Sequence, residues 1–245
     1  MARTCIFCRN PVSKGGREHV IPGWIPEHLG QTHLALEHVQ RHNVTKREKV
    51  PFADYAANIY CGGNSGCNQY FGRTLEGPTK QILTPAIDGE RVRYNADEQA
   101  LLARWAFKTT CALLGAERKR RAVPQADRYR FRKDGTVPMS CFVGIGRYSG
   151  GGVRIFAGRL RLIPGRGVAT DPIVSVYHSI VAVGQVVFKV FGVLKPPPED
   201  TFRIPVGRLH RVWPPRDDVV EWPPLWSLDD DGIDELALFN PFIRR

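Results

Sequence analysis

Four cysteines near the start of the chain constrain its folding more than any other feature. Cys5 and Cys8 form a C-x2-C pair, and Cys61 and Cys67 form a C-x5-C pair. A C-x2-C pair is a tight two-thiolate claw, and a second pair further on completes a tetrahedral Zn²⁺ site. The rest of residues 1–85 is irregular, rich in Cys, His, Gly and Pro, and poor in long periodic runs. A segment of that kind buries little apolar surface and needs a staple. Structural zinc on Cys5, Cys8, Cys61 and Cys67 is therefore expected; the other reading is four free thiols in a small core. The N-terminal sequence MARTCIFCRN has no apolar h-region. That points to a cytoplasmic location, where the six Cys would be thiols or metal ligands rather than disulfides.

The remaining sequence divides by pattern into an α+β arrangement. In the first module, short strands are expected near His19–Ile21 and Ala57–Cys61, and a helix near Cys67 with Phe71 and Leu75 on one face. Residues 27–57 read as an insertion of loops with room for a hairpin. Residues 97–116 form the clearest helix, with Leu101, Trp105, Ala112 and Leu113 at helical spacing, Asp97 as a cap and Gly115 near its end. It reads as a packing helix that joins two modules, with Cys111 as a core thiol. The runs RKRR (118–121) and RYRFRK (128–133) place eight Lys/Arg within sixteen residues, read as a basic linker. Residues 137–213 contain five β-patterned runs separated by Gly or Pro, and Cys141 lies in the first. An antiparallel sheet, barrel or sandwich is expected there. The expected divisions are 1–85, 86–133 and 134–245. The apolar stretch Ile173–Leu194 contains too many polar residues for a membrane helix and reads as two strands around Gly184-Gln185.

Charge narrows the partners. The net charge is +11, yet residues 217–245 hold eight acids and two Arg, a net −6 that leaves +17 for residues 1–216. A positive body suits a polyanion such as nucleic acid. Lys14, Arg17, Arg73 and Lys80, together with Arg118, Lys119, Arg120 and Arg121, are the candidate phosphate contacts. The acidic, Pro-rich tail either packs on the body through Trp222, Leu225, Trp226, Leu236 and Phe239 or masks a basic groove.

Between the Cys pairs lie Glu18-His19-Val20-Ile21-Pro22 and Asn58-Ile59-Tyr60-Cys61, and Asn68 follows the fourth Cys directly. The stretch CIFC…REHVIPGW…CN…LE resembles the HNH endonuclease family, and most closely a bacterial and phage subgroup with a zinc-binding Cys quartet. The resemblance covers about residues 5–80. It implies an N-terminal ββα-metal module and a metal-dependent hydrolase acting on DNA. By position, His19 matches the general base, Glu18 and Asn68 match ligands of a catalytic Mg²⁺ or Mn²⁺, and Asn58 matches the Asn that holds the catalytic loop. Where some members carry a third metal ligand this chain has Gly72, and Glu76 lies too far round the helix to be more than a neighbour of the site. Glu37-His38-Val39 repeats the acid–His tripeptide without the Ile-Pro, and His33, His38 and His42 read as solvated loop residues. One such centre cuts one strand per event, so double-strand cleavage would take a homodimer or two encounters. The alternative is a non-catalytic zinc-containing nucleic-acid-binding protein. No membrane association is expected.

Overall fold

Residues 96–116 carry apolar side chains on every face, and a helix of that kind has to be covered all round. The computed structural model describes residues 3–12, 18–40, 43–52, 55–63, 65–116, 122–162, 174–194, 209–215 and 218–238. In it, helix α4 (Ala96–Ala116) runs through the middle of the molecule, and every residue from Trp105 to Gly115 is buried. Asn95, rather than Asp97, caps it. Asn95 Oδ1 accepts from the backbone N–H of Asp97 at 2.9 Å and of Glu98 at 3.0 Å, while Glu98 Oε2 accepts from the Asn95 N–H at 2.9 Å. This reciprocal box starts the helix one residue before Asp97.

The N-terminal part builds on two very short strands, β1 (Glu18–His19) and β4 (Ala56–Ala57), paired antiparallel with His19 opposite Ala56 and Glu18 opposite Ala57. Between them stand helix α1 (Trp24–Leu29) and the antiparallel hairpin β2 (His33–Gln40) with β3 (Asn43–Pro51). The insertion read from sequence is thus a real ribbon. Helix α2 (Cys67–Phe71) runs through a π-helical turn, Gly72–Glu76, into α3 (Gly77–Ile87). Phe71 and Leu75 are both buried.

After β5 (Val92–Tyr94) and α4, part of the expected basic linker is a helix, α5 (Gln125–Asp134). The strands β6 (Cys141–Tyr148), β7 (Val153–Leu162), β8 (Val174–Val183), β9 (Val186–Val193) and β10 (His210–Trp213) then form one sheet in the order β10-β6-β9-β8-β7, every neighbouring pair antiparallel. Its strands alternate between two covered faces, as the two-residue period of a strand requires. Val181, Val183, Phe188 and Val190 join the main core on the α4 side, and Ile180, Ala182 and Val187 a smaller cluster on the other. Trp105 and Phe188 meet at 5.2 Å, and Thr110 Oγ1 and Ser179 Oγ hydrogen-bond at 2.6 Å. Cys111 and Cys141 are buried here as core thiols, and burial pushes Cys141 up to about 12. The β8–β9 turn docks on the end of α3. A Cβ at Gly184 would stand 2.7 Å from the Ile87 carbonyl oxygen, so only glycine allows that approach.

The acidic tail is part of the fold. Strand β11 (Val220–Trp222) pairs with β5, β12 (Ser227–Leu228) pairs parallel with β6, and α6 (Asp230–Leu238) covers the second face of the sheet. Arg154 reaches Asp230 at 2.9 Å and Asp234 at 2.8 Å, and Tyr148 donates to Asp230 at 2.5 Å. Trp222 is buried, as expected of a packing residue, but Leu225 is 94% and Trp226 61% exposed. Both follow Pro223-Pro224 directly in the chain. Phe239 lies outside the described residues. A single buried cluster extends from Cys5 through α4 to Trp222, so the three sequence regions share one core. Among the described residues no helix is long and apolar enough to cross a membrane.

Candidate metal centre and the strands around it

Two turns bring the cysteines together. The first spans Cys5–Cys8 and closes with the Arg9 N–H donating to the Cys5 carbonyl at 3.1 Å and the Cys5 N–H to the Asn10 carbonyl at 2.8 Å. Arg9 adopts φ 65°, a left-handed conformation uncommon for a residue with a Cβ. The second is the five-residue loop from Cys61 to Cys67. It doubles back on itself at Gly66, where a Cβ would lie 2.4 Å from the Gly62 carbonyl oxygen and 2.5 Å from that of Cys61. The wide C-x5-C spacing therefore still yields a tight claw, because glycine lets the backbone meet itself.

The four Sγ atoms lie within 4.8 Å of one another. An ideal tetrahedral zinc site with Zn–S near 2.3 Å places its sulfurs about 3.8 Å apart, so the quartet fits a zinc ion. Cys8 and Cys61 Sγ stand 3.4 Å apart, and the Cys67 backbone N–H points at Cys61 Sγ at 3.2 Å. Cys5, Cys61 and Cys67 are buried and Cys8 half-buried. The thiols titrate in conflict. Cys5 is pulled down chiefly by a hydrogen bond from Cys67, Cys67 is pushed up by the same bond and by burial, and Cys8 is pushed up to about 11 by burial. Sulfurs packed this closely resist a second negative charge, and a divalent cation removes that penalty.

Helix α5 braces this centre, which the sequence did not reveal. Gln125, Arg128 and Arg132 fall at i, i+3 and i+7 on one helical face. Gln125 Nε2 donates to the carbonyls of Ile6 at 3.4 Å and Phe7 at 3.3 Å. Arg128 is buried and donates to Ile6 and Val123 carbonyls at 2.5 and 3.1 Å. Arg132 lies 3.7 Å from the centroid of the Tyr70 ring, and its cation draws the Cys67 thiol down against the larger upward push of Cys5 and burial. Phe131 closes an aromatic cluster with Phe7 at 6.0 Å and Phe71 at 5.7 Å. The helical spacing of these residues within an otherwise uniform basic run was the one available signal.

The other motif residues sit on the elements next to the quartet. His19 is exposed on β1, directly opposite Ala56; Glu18 is on the same strand, with only its backbone described. Asn58 follows β4 immediately, and its Oδ1 is buried without a hydrogen-bond partner among the described residues. Asn68 is half-buried in the first turn of α2, its N–H 3.4 Å from the Cys61 carbonyl. Around Gly72 a Cβ would meet nothing within 4 Å. Glu76 is engaged elsewhere, in an ion pair with the fully buried Lys108, whose Nζ also lies 5.3 Å from the Tyr60 ring centroid. Arg73 and Lys80 are exposed, and Lys80 Nζ is 5.9 Å from the Trp24 ring centroid. Lys14, Arg17, Arg118, Lys119, Arg120 and Arg121 lie outside the described residues, as do the side chains of His38 and His42. Comparison of the chain with protein-family models, with curated proteins and with solved structures finds no match.

Proposed function

We propose that this protein is a metal-dependent HNH-type endonuclease that hydrolyses phosphodiester bonds in DNA. The observation that carries the reading is a β-β-α order built around a metal-compatible Cys quartet. Strand β1 bears Glu18 and His19, its partner β4 leads straight into Asn58, and Asn68 opens the following helix beside Cys67. The zinc is structural in this reading and holds the two turns that position these elements. The body charge of +17 over residues 1–216 favours a nucleic-acid substrate.

His19 takes the proton from the attacking water. Imidazole suits that task because its ordinary titration range lies near neutral pH, and the exposure of His19 leaves it open to a phosphodiester. Glu18 and Asn68 supply oxygen donors, which favour Mg²⁺ or Mn²⁺ over zinc at the second position. Such a cation, when bound, supplies Lewis-acid stabilisation of charge at phosphorus and on the leaving oxygen. The open room beside Gly72 leaves space for water to complete its shell. Asn58 offers its buried Oδ1 as an acceptor that aligns the loop.

The test is cleavage of supercoiled plasmid in Mg²⁺ or Mn²⁺, comparing the native protein with His19→Ala. Losing a general base costs about 10²–10⁴-fold in rate. Full activity in folded His19→Ala overturns the mechanism. DNA binding with no cleavage by the native protein supports the non-catalytic zinc module instead.

A further inference from the structure

We propose that Arg132 is an outer-sphere cation of the cysteine metal centre: its guanidinium, seated on the Tyr70 ring one turn beyond Cys67, offsets the negative charge of the four-thiolate site. The inference rests on the reading that Cys5, Cys8, Cys61 and Cys67 hold zinc. A divalent ion with four thiolates carries a net charge of about −2, and in a buried setting that charge needs a counter-charge and hydrogen-bond donors.

Three observations place Arg132 for this role. Its guanidinium lies 3.7 Å from the centroid of Tyr70, a residue one turn beyond Cys67 on α2, so the group is seated on the element that also carries Cys67. Its helix is fixed from the other side, because Gln125 and Arg128 hold the carbonyls of Ile6 and Phe7 inside the Cys5–Cys8 turn. Arg132 Nε is buried with no hydrogen-bond partner among the described residues, so the group keeps a donor in reserve for a thiolate sulfur. A planar, permanently charged fork suits several sulfur acceptors at once, and a lysine cannot stack and donate in the same way. Arg128 is one turn away but spends its donors on backbone carbonyls. Arg130 and Lys133 point to solvent on the outer side of α5.

The experiment uses the full chain loaded with zinc. Zinc affinity is measured by competition with a chromophoric chelator, and sulfur accessibility by the rate of alkylation with N-ethylmaleimide. Arg132→Gln is expected to lose about 10–100-fold in zinc affinity and to alkylate faster. Arg132→Lys keeps the charge without the stack and should fall between, whereas Arg130→Gln should match the native protein. If Arg132→Gln fails to fold, Arg132→Lys and Tyr70→Leu carry the test, and both are expected to weaken zinc retention. Zinc affinity and alkylation in the Arg132 variants within twofold of native, with about one zinc bound per native chain, overturns the proposal. A native chain that binds no zinc overturns the reading beneath it instead.

Discussion

The carbonyl oxygen of Ile6, at the centre of the Cys5–Cys8 turn, accepts a hydrogen bond from Arg128 Nη1 at 2.5 Å across 122 residues of sequence. The first cysteine turn is therefore completed by α5, the helix that follows α4 in the chain. Arg128→Met keeps the apolar stem and removes the donors, which leaves the Ile6 and Val123 carbonyls short of partners in a buried place. Stability should fall by about 2–3 kcal/mol. Chemical denaturation checks this, and an unchanged midpoint would mean that the carbonyls find other donors at no cost.

Gly66 closes the second turn. Any side chain there meets two carbonyl oxygens at under 3 Å, both of them backbone and neither able to swing aside. Gly66→Ala should open the Cys61–Cys67 loop and spoil the tetrahedron. Zinc content by elemental analysis should drop well below one ion per chain, with the first module losing order as the metal leaves. A Gly66→Ala protein that retains full zinc would show that the loop relaxes more easily than its geometry allows.

How much of this was legible in advance follows the range of the forces involved. The Cys quartet was legible because two short-range pairs set it, and helix 97–116 because its apolar residues recur over five turns. The hairpin-rich sheet was legible from two-residue alternation. The role of α5 was not: Arg128 and Arg132 sit in a run that reads as solvated charge, and only tertiary contact separates them from Arg130 and Lys133. Glu76 was hidden for the same reason, since its partner Lys108 lies 32 residues away inside an apolar helix. The cap moved from Asp97 to Asn95 because a reciprocal pair with Glu98 outweighs the local preference of a single acid.

Lys189 gives the protein a pH-dependent stability. It is buried on β9 beneath α6, donates to the Leu236 carbonyl at 2.8 Å and lies 3.3 Å from His178 Nδ1. Burial pushes its amine down to about 7. An unfolded lysine titrates near 10.4, so between those values the unfolded chain binds the extra proton and stability rises with pH. Below about 7 both states are protonated and the slope vanishes. The native protein should gain up to about 1.4 kcal/mol per pH unit from this group across about pH 7–9, a range in which an ordinary histidine is already neutral. Lys189→Met should remove that slope and be the more stable protein near pH 7. Denaturation midpoints of the two proteins at about pH 7, 8 and 9 provide the comparison. Parallel profiles would show that Lys189 stays charged when folded.

Trp222 and Trp226 stand four residues apart in the same acidic, proline-rich segment and have opposite fates. Trp222 is 2% exposed, locked on β11 against Val92, while Trp226 is 61% exposed beside the outward-turned Leu225. Burial decides the outcome of substitution. Trp222→Ala should cost about 3–5 kcal/mol through lost contacts and a cavity, and Trp226→Ala should change stability by no more than about 0.5 kcal/mol. The same pair tests what the tail does for binding. A tail that masks a basic groove would be loosened by Trp222→Ala, and non-specific DNA affinity would then rise as the −6 charge moves away. A tail that completes the sheet predicts the reverse: the substitution lowers stability and leaves the affinity of the still-folded fraction unchanged. Strands β11 and β12, α6 and the Arg154 bridge to Asp230 and Asp234 all favour the second outcome. Thermal unfolding alongside DNA binding at several salt concentrations separates the two, because unmasking would also steepen the dependence of log affinity on log salt.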